Sequence, residues 1–319
     1  MTDTVSRNKF DLTGRRRPVE RLILVTLAVC GAISIATTVG ILYELGKESL
    51  LFFQDPEVSI VDFFTKTLWQ PQAGSFGIWP LILGTMIITV IALVVAIPIG
   101  LASAIYLAEY ASPRVRGFFK PALEVLVGIP TVVFGFFAIT FVTPILRSIF
   151  GQDVVGFFNV LSAGIVVGIL IIPLISSLSE DALSAVPDSL RQAAYGLGAS
   201  KLEVSLKIVV PAALSGIAAG VVIAMSRAVG ETMVVTLAAG AAPRNFIFGE
   251  DALFGYILSP FESAQTMTGY IAVTASGDLS YNTIDYNSIF AIGLTLFFIT
   301  LGLNALSRRI VKRFRQEYE

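Results

Sequence analysis

The sequence has no histidine and one cysteine, Cys30, among its 319 residues. Without histidine it lacks the commonest acid–base side chain and the commonest metal ligand. One cysteine can form neither an internal disulfide nor a zinc cluster. Inside an apolar run, Cys30 reads as a small apolar filler. Charge is scarce as well: 14% of residues are charged and 55% are hydrophobic, where soluble domains carry about 25% charged residues. A chain this poor in charge cannot cover a water-facing surface, so lipid is the expected solvent. The net charge of −1 is uninformative about partners. No nucleophile motif or metal-ligand cluster is visible, which argues against a membrane enzyme.

What the chain has in abundance is long apolar runs. Six read as membrane spans, at 22–45, 78–107, 121–146, 155–178, 208–240 and 288–306, each near or above the ~20 residues needed to cross a bilayer. The first follows "RRRPVER", a flank like that of a signal peptide. The run itself exceeds a 7–15-residue signal core and meets no small-x-small cleavage site. At ~1.5 Å per residue it is ~36 Å long, so it reads as an uncleaved anchor. The longer runs predict tilt, kinks or extension into water, with Pro98, Pro130 and Pro173 as candidate kinks.

Orientation follows from the basic residues. With the N-terminus inside, the 22 Lys and Arg all fall on the cytoplasmic side, except Lys47, Lys66, Arg147 and Arg244 outside and Arg227 within a span. Both termini are therefore cytoplasmic. The expected organisation is a tail at 1–21, a first transmembrane helix at 22–45 and an outer loop at 46–77. A core membrane domain at 78–312 contains a cytoplasmic loop at 179–207, and a tail follows at 313–319. The outer loops 46–77 and 241–287 are too long for turns and too apolar for linkers. They suit interfacial half-helices or a docking surface for an external partner. G-x-x-x-G spacing at Gly164/Gly168 and Gly216/Gly220 permits close helix packing. Glu124 reads as an interfacial residue. Thr85 and Thr131 suit either a polar path or backbone-bonded packing.

The cytoplasmic loop reads "SEDALSAVPDSLRQAAYGLGASKLEVSLKIVVP". Pro187 suits the first position of a helix, with Asp188 favourable in the first turn. Gly196 and Gly198 interrupt that helix. Ser200 and Glu203 form a capping box for a second one. Within this stretch Gln192-Ala193-Ala194, three residues, Gly198, nine residues and Ile208-x-Val210-Pro211 resemble the E-A-A-x3-G-x9-I-x-L-P loop of ABC importer permeases. Gln192 stands for the usual Glu and Val210 for Leu, so a salt bridge carried by the Glu in relatives does not transfer. The resemblance implies a coupling helix that docks on an ATP-binding subunit, with Gln192, Ala193, Ala194, Gly198, Ile208 and Pro211 as coupling residues. The chain has no G-x-x-x-x-G-K-[ST] loop; "GLGASK" lacks that spacing. An ATPase would have to be a separate subunit, and this chain would need no cofactor of its own.

The fifth span contains "SRAVGETM". A charge at the centre of a membrane helix costs about 2.5–3.5 kcal/mol on insertion scales. Pro211 to Arg227 is ~24 Å of helix, too deep for easy snorkelling. Arg227 and Glu231 fall at i and i+4, on one face. Ser226 and Thr232 add hydroxyls, and Gly230 leaves the backbone open. One reading is a structural ion pair. The other is a substrate path, since intramembrane charges face interiors or water cavities. An Arg fork matches a tetrahedral oxyanion. A carboxylate beside it keeps the empty site near neutral and can accept a hydrogen bond from a protonated oxyanion, which sulfate cannot offer.

Residues 227–233, "RAVGETM", resemble the R-A-x-G-E-T-M segment of phosphate ABC permeases of the Pst system, nearest the PstC type. The strings at 80–111 and 128–137 are similar too, and the likeness covers roughly 78–312. It implies an all-α, polytopic membrane protein with six transmembrane helices in the type I ABC importer permease fold, placed in the inner membrane. It implies a non-enzymatic phosphate permease subunit with Arg227, Glu231, Thr232 and Ser226 along the path. Its partners would be a PstA-type second permease, PstB-type ATP-binding subunits and a PstS-type external phosphate-binding protein. Competing readings are a permease for sulfate or molybdate, and a proton-coupled secondary transporter with Glu231 as proton carrier.

Overall fold

The computed structural model describes residues 18–246, 259–277, 280 and 283–314. The chain divides into two units, residues 1–45 and 46–319. Helix α1, Pro18–Gln54, is unbroken. Between Leu22 and Ile41 its large apolar side chains are exposed, as suits a helix bathed in lipid. Cys30 lies on this exposed surface, so it is not the buried filler expected of it.

In the second unit, the stretch 46–77 expected as an outer loop opens with the end of α1, which runs on to Gln54, and the remainder is built rather than loose. Helix α2, Ile60–Thr65, is capped by Ser59. Strands β1, Trp69–Gln70, and β2, Ser75–Phe76, pair antiparallel, Trp69 opposite Phe76. Trp69 is fully buried and meets Phe63, Phe76 and Tyr270 edge-on at 5.0–6.3 Å between ring centroids. Rings meeting edge-to-face add to the burial of their area, which lets a short ladder persist outside the bundle.

The bundle is centred on helices α3, Trp79–Ile105, and α7, Val160–Ser184. A π-turn, Tyr106–Tyr110, continues α3. Small residues bring the two backbones together: a Cβ on Gly168 would lie 2.9 Å from the Ala92 carbonyl oxygen. Helix α11, Leu214–Val229, packs on α7 in the same manner, since a Cβ on Gly216 would lie 2.5 Å from that of Ala182. Both G-x-x-x-G stretches are thus packing seams. Ile88, Ala92, Ala163, Val167, Ile171 and Ala224 fill the core between them.

Three expected spans are corrected. The run at 121–146 is not one span. Helix α4, Pro113–Val127, is a separate capped helix, and the span is Thr131–Phe150, made of α5, Thr131–Phe137, a π-turn at Ala138–Val142 and α6, Thr143–Phe150. Pro130 disfavours helix at Ile129 and itself becomes the N-cap of α5. The fourth span starts at Val160, because the Asn159 amide oxygen accepts the Ser162 N–H at 2.7 Å. Pro98 and Pro173 lie within α3 and α7.

The run at 208–240 is broken twice. Its entry, Lys201–Ala212, meets α11 at a 69° bend. It contains α9, Lys201–Val204, a π-turn at Ser205–Val209 and α10, Val210–Ala212. Beyond α11 the chain leaves helix at Gly230 and resumes as α12, Met233–Ala238. The outer loop 241–287 holds the half-helix α13, Met267–Ala275, capped by Thr266; residues 247–258, 278–279 and 281–282 lie outside the described residues. Helix α14, Ile284–Phe314, is the last element among the described residues. Among the described residues five helices are long and apolar enough to cross a membrane, six with the bent pair as one span.

Gly168→Val should force α3 from α7 and cost about 1–3 kcal/mol, as overpacking does. Gly117→Ala on α4, where a Cβ meets nothing within 4 Å, should be neutral or stabilising by up to about 1 kcal/mol. Thermal unfolding in detergent checks both; equal melting temperatures for G168V and the parent would contradict the packing assignment.

Candidate functional site: a broken membrane helix and a helical cytoplasmic loop

Arg227 and Glu231 do not share a continuous helix. Helix α11 ends at Val229 and Gly230 caps it, its N–H donating to the Ser226 carbonyl at 3.2 Å. Arg227 lies in the last turn of α11, where the unpaired carbonyls carry partial negative charge. Glu231 lies just before α12, where unpaired amides carry partial positive charge, and its Oε1 accepts the Val234 N–H at 3.4 Å. Each charge therefore complements the helix end beside it.

The two side chains still converge, but loosely and unequally. Arg227 Nη2 is 4.0 Å from Glu231 Oε2; the glutamate side chain is 3% exposed and the arginine 48%. Glu231 is built into the break. The Thr268 hydroxyl donates to its carbonyl at 2.7 Å and lies 3.2 Å from that of Thr266. The Met267 N–H donates to Thr85 Oγ1 at 3.0 Å. Half-helix α13 thus ties the break to α3.

Of the four residues expected along a path, the structure brings Arg227 and Glu231 together. The Thr232 hydroxyl donates to the Gly230 carbonyl at 3.3 Å. The Ser226 hydroxyl is turned to Asn304 of α14, 2.9 Å away. Thr85 serves as a buried packing partner of α13. Thr266, Thr268 and Asn304 escaped the sequence reading. The only local signal was T-x-x-G at 266–269, a cap pattern inside an apolar loop.

The cytoplasmic loop is a compact pair of helices. Helix α8, Asp188–Gly196, has Pro187 as its N-cap and not, as expected, as its first residue. Gly198 turns the chain at φ +84°, a backbone conformation L side chains avoid. The capping box is present. Ser200 N–H donates to Glu203 Oε2 at 3.1 Å, Glu203 N–H to Ser200 Oγ at 3.4 Å, and Lys207 Nζ to Glu203 Oε1 at 3.2 Å. Gln192 and Ala193 are exposed, but Ala194 is buried with Leu183, Val186, Val204 and Val209. Ala194 thus holds the loop to the bundle and leaves Ala193 outside. Ile208 is half-buried and Pro211 exposed. At the tip, Leu197 is 91% exposed, an apolar surface that the motif spacing did not mark.

Two charge clusters secure the cytoplasmic side. Arg191 pairs with Glu109 of the π-turn at 2.9 Å and donates to the Leu183 carbonyl at 2.9 Å. On α4, Arg116 and Lys120 both pair with buried Glu180, and Lys120 also with Asp181 at 2.7 Å. Hydrogen bonds to Asp181 and Glu180 raise the Lys120 pKa. These pairs explain why α4 lies against α7 instead of extending the third span.

A crystal structure of a bacterial ABC transporter involved in the import of the acidic polysaccharide alginate has the same fold. Its TM-score is 0.59 at 17% identity, covering 92% of this chain and 99% of that one. The architecture is that of a type I ABC importer permease. The chain belongs to the binding-protein-dependent transport system inner membrane components, the family that matches residues 96–317. It is a multi-pass transport subunit of the inner membrane and not an enzyme. Among relatives, the probable ABC transporter permease protein YqgH of Bacillus subtilis (strain 168) is 32% identical over 289 residues, covering 90% of this chain and 89% of that protein. The phosphate transport system permease protein PstC of Mesorhizobium japonicum is 30% identical over 331 residues, covering 96% and 94%.

The Glu203 carboxyl is lowered to about 2, first by the Ser200 backbone N–H, then the Ser200 hydroxyl, then Lys207. A depressed carboxylate pKa means the cap is fully present above the ordinary value of 4.5 and is lost as pH falls toward about 2. An NMR titration of the Glu203 side chain should show that low midpoint. Ser200→Ala and Lys207→Met should each raise it, with the Ser200 backbone N–H still holding it below the ordinary value; an ordinary midpoint in the parent would contradict the cap geometry.

Proposed function

We propose that this chain is one permease subunit of an ATP-driven importer of inorganic phosphate, with Arg227 as an ion-contacting station. The observation that carries the reading is the inequality of the pair: Glu231 is buried and hydrogen-bonded into the break, while the Arg227 guanidinium is half exposed and only loosely engaged, at 4.0 Å. A fork with free donors at a helix break suits a tetrahedral oxyanion. Glu231 then serves as a positioning carboxylate and as acceptor for the proton of hydrogen phosphate. Its likeness in sequence to several permeases named for phosphate transport supports the substrate.

The partners follow from the same reading. A PstA-type permease would complete the path, a PstS-type binding protein would deliver phosphate to the outer face, and PstB-type subunits would hydrolyse ATP. The loop from Gln192 to Gly198, with Leu197 at its tip, would meet the ATP-binding subunit. Ile208 and Pro211 would join the loop to α11.

The complex reconstituted in vesicles tests this. Arg227→Ala should assemble normally and lose at least about tenfold of ATP-driven phosphate uptake. Arg227→Lys should recover only part, since it keeps the charge without the fork. Full uptake in normally inserted R227A would remove the station role. Parent uptake of sulfate at or above that of phosphate would remove the assigned substrate.

A further inference from the structure

The coupling loop touches the membrane bundle in three places, and they differ in continuity. Upstream it continues from α7. Downstream it enters α11 through a π-turn and a 69° bend, and α11 is itself broken at Gly230. A push along that route meets two discontinuities. The third attachment is lateral. Arg191 of α8 donates through Nε and Nη2 to Glu109 Oε1 at 3.2 and 2.9 Å. It also donates to the carbonyls of Leu183 and Val186 and pairs with Asp188 at 3.2 Å. The side chains of Arg191 and Glu109 are 15% and 5% exposed.

A second contact joins the same place. The Lys201 ammonium at the start of α9 sits over the Tyr110 ring, 4.8 Å from its centroid. Glu109 and Tyr110 both belong to the π-turn that ends α3. Both helices of the loop are therefore fastened to one turn. Ala104 of α3 shares the apolar cluster of Ala194, Val204 and Val209, which closes the space between them.

We propose that Glu109 is a positioning residue: with Arg191 it locks the coupling loop to the cytoplasmic end of α3, so that force applied to the loop enters the bundle through α3 and not first through α11. This rests on the coupling reading of the loop given above. The far end of α3 bears on the site. Thr85 accepts the Met267 N–H, and Thr268 in the next position holds the Glu231 carbonyl. About 24 residues of helix, ~36 Å, connect Glu109 to Thr85. A shift of α3 moves α13, and α13 grips the break in the fifth span. Contiguity alone does not establish energetic coupling, so the test perturbs the fastener and reads the break.

Amide exchange at 230–236 is followed in the full complex with its ATP-binding subunits, nucleotide-free and after turnover with ATP and vanadate, which leaves ADP and vanadate trapped. This readout needs no identified cargo. The parent should show an ATP-dependent change of at least about tenfold. Glu109→Gln should keep ATP hydrolysis within twofold and reduce that change below about twofold. Arg191→Lys retains the charge without the fork; it should reproduce the defect, and the double variant should be no worse than either single one. Arg191→Lys also decides the matter if E109Q fails to assemble. A parent-like change in either assembled single variant overturns the proposal, as does the absence of an ATP-dependent change in the parent. Leu197→Asp at the exposed tip tests docking separately: it should release the ATP-binding subunit. Retention there would sink the docking role, while the exchange result still decides whether the loop and α3 move as one.

Discussion

A lipid interior offers no hydrogen bonds, so every interruption of a membrane helix must be satisfied from within the protein. The break at Gly230–Thr232 is where this constraint bears hardest. Ending α11 and restarting at α12 exposes carbonyls on one side and amides on the other. Arg227 lies against the first set and Glu231 against the second, with Val234 N–H bonded to the carboxylate. The remaining carbonyl of Glu231 takes the Thr268 hydroxyl. Two charges that look misplaced in a continuous helix are the natural complement of a discontinuous one.

The rest of the bundle holds that break in position. Helices α3, α7 and α11 approach closely because glycines stand at their contacts, with Gly168 against Ala92 and Gly216 against Ala182. Without a hydrophobic drive between helices in lipid, close packing and hydrogen bonds supply the association. Ion pairs appear where the helices reach water. Glu180 gathers Arg116 and Lys120, and Glu109 holds Arg191. The membrane interior is thus fastened by shape and the cytoplasmic rim by charge. Hydroxyls add further joints inside the bundle, tying half-helix α13 to α3 and to the break, and α11 to α14 through Ser226 and Asn304.

Much of the fold was legible in sequence because its causes are local. Apolar length marks spans, basic residues mark the inner face, and the Ser200–Glu203 box marks a helix start that the structure contains. The motif from Gln192 to Pro211 and the string from Arg227 to Met233 identified the family. The failures have local form but non-local causes. Apolar sequence continued on both sides of Glu124 and on both sides of the Arg227–Glu231 pair, so α4 merged with the third span and α12 with α11. What separates α4 is Glu180 and Asp181, 60 residues away and more in sequence. What stabilises the stop at Gly230 is Thr268, on another helix.

By itself the sequence determined the solvent, the orientation, the approximate spans and the kind of machine, because each depends on composition, on short-range spacing or on a contiguous motif. Only the tertiary structure decided how the charged pair is held. It placed Glu231 inside the break and left Arg227 half open, turned Ser226 toward Asn304, buried Ala194 and exposed Leu197. It also gave Arg191 a partner in Glu109. These outcomes depend on which distant backbone offers a carbonyl, a hydroxyl or a close surface, and no local pattern carries that information.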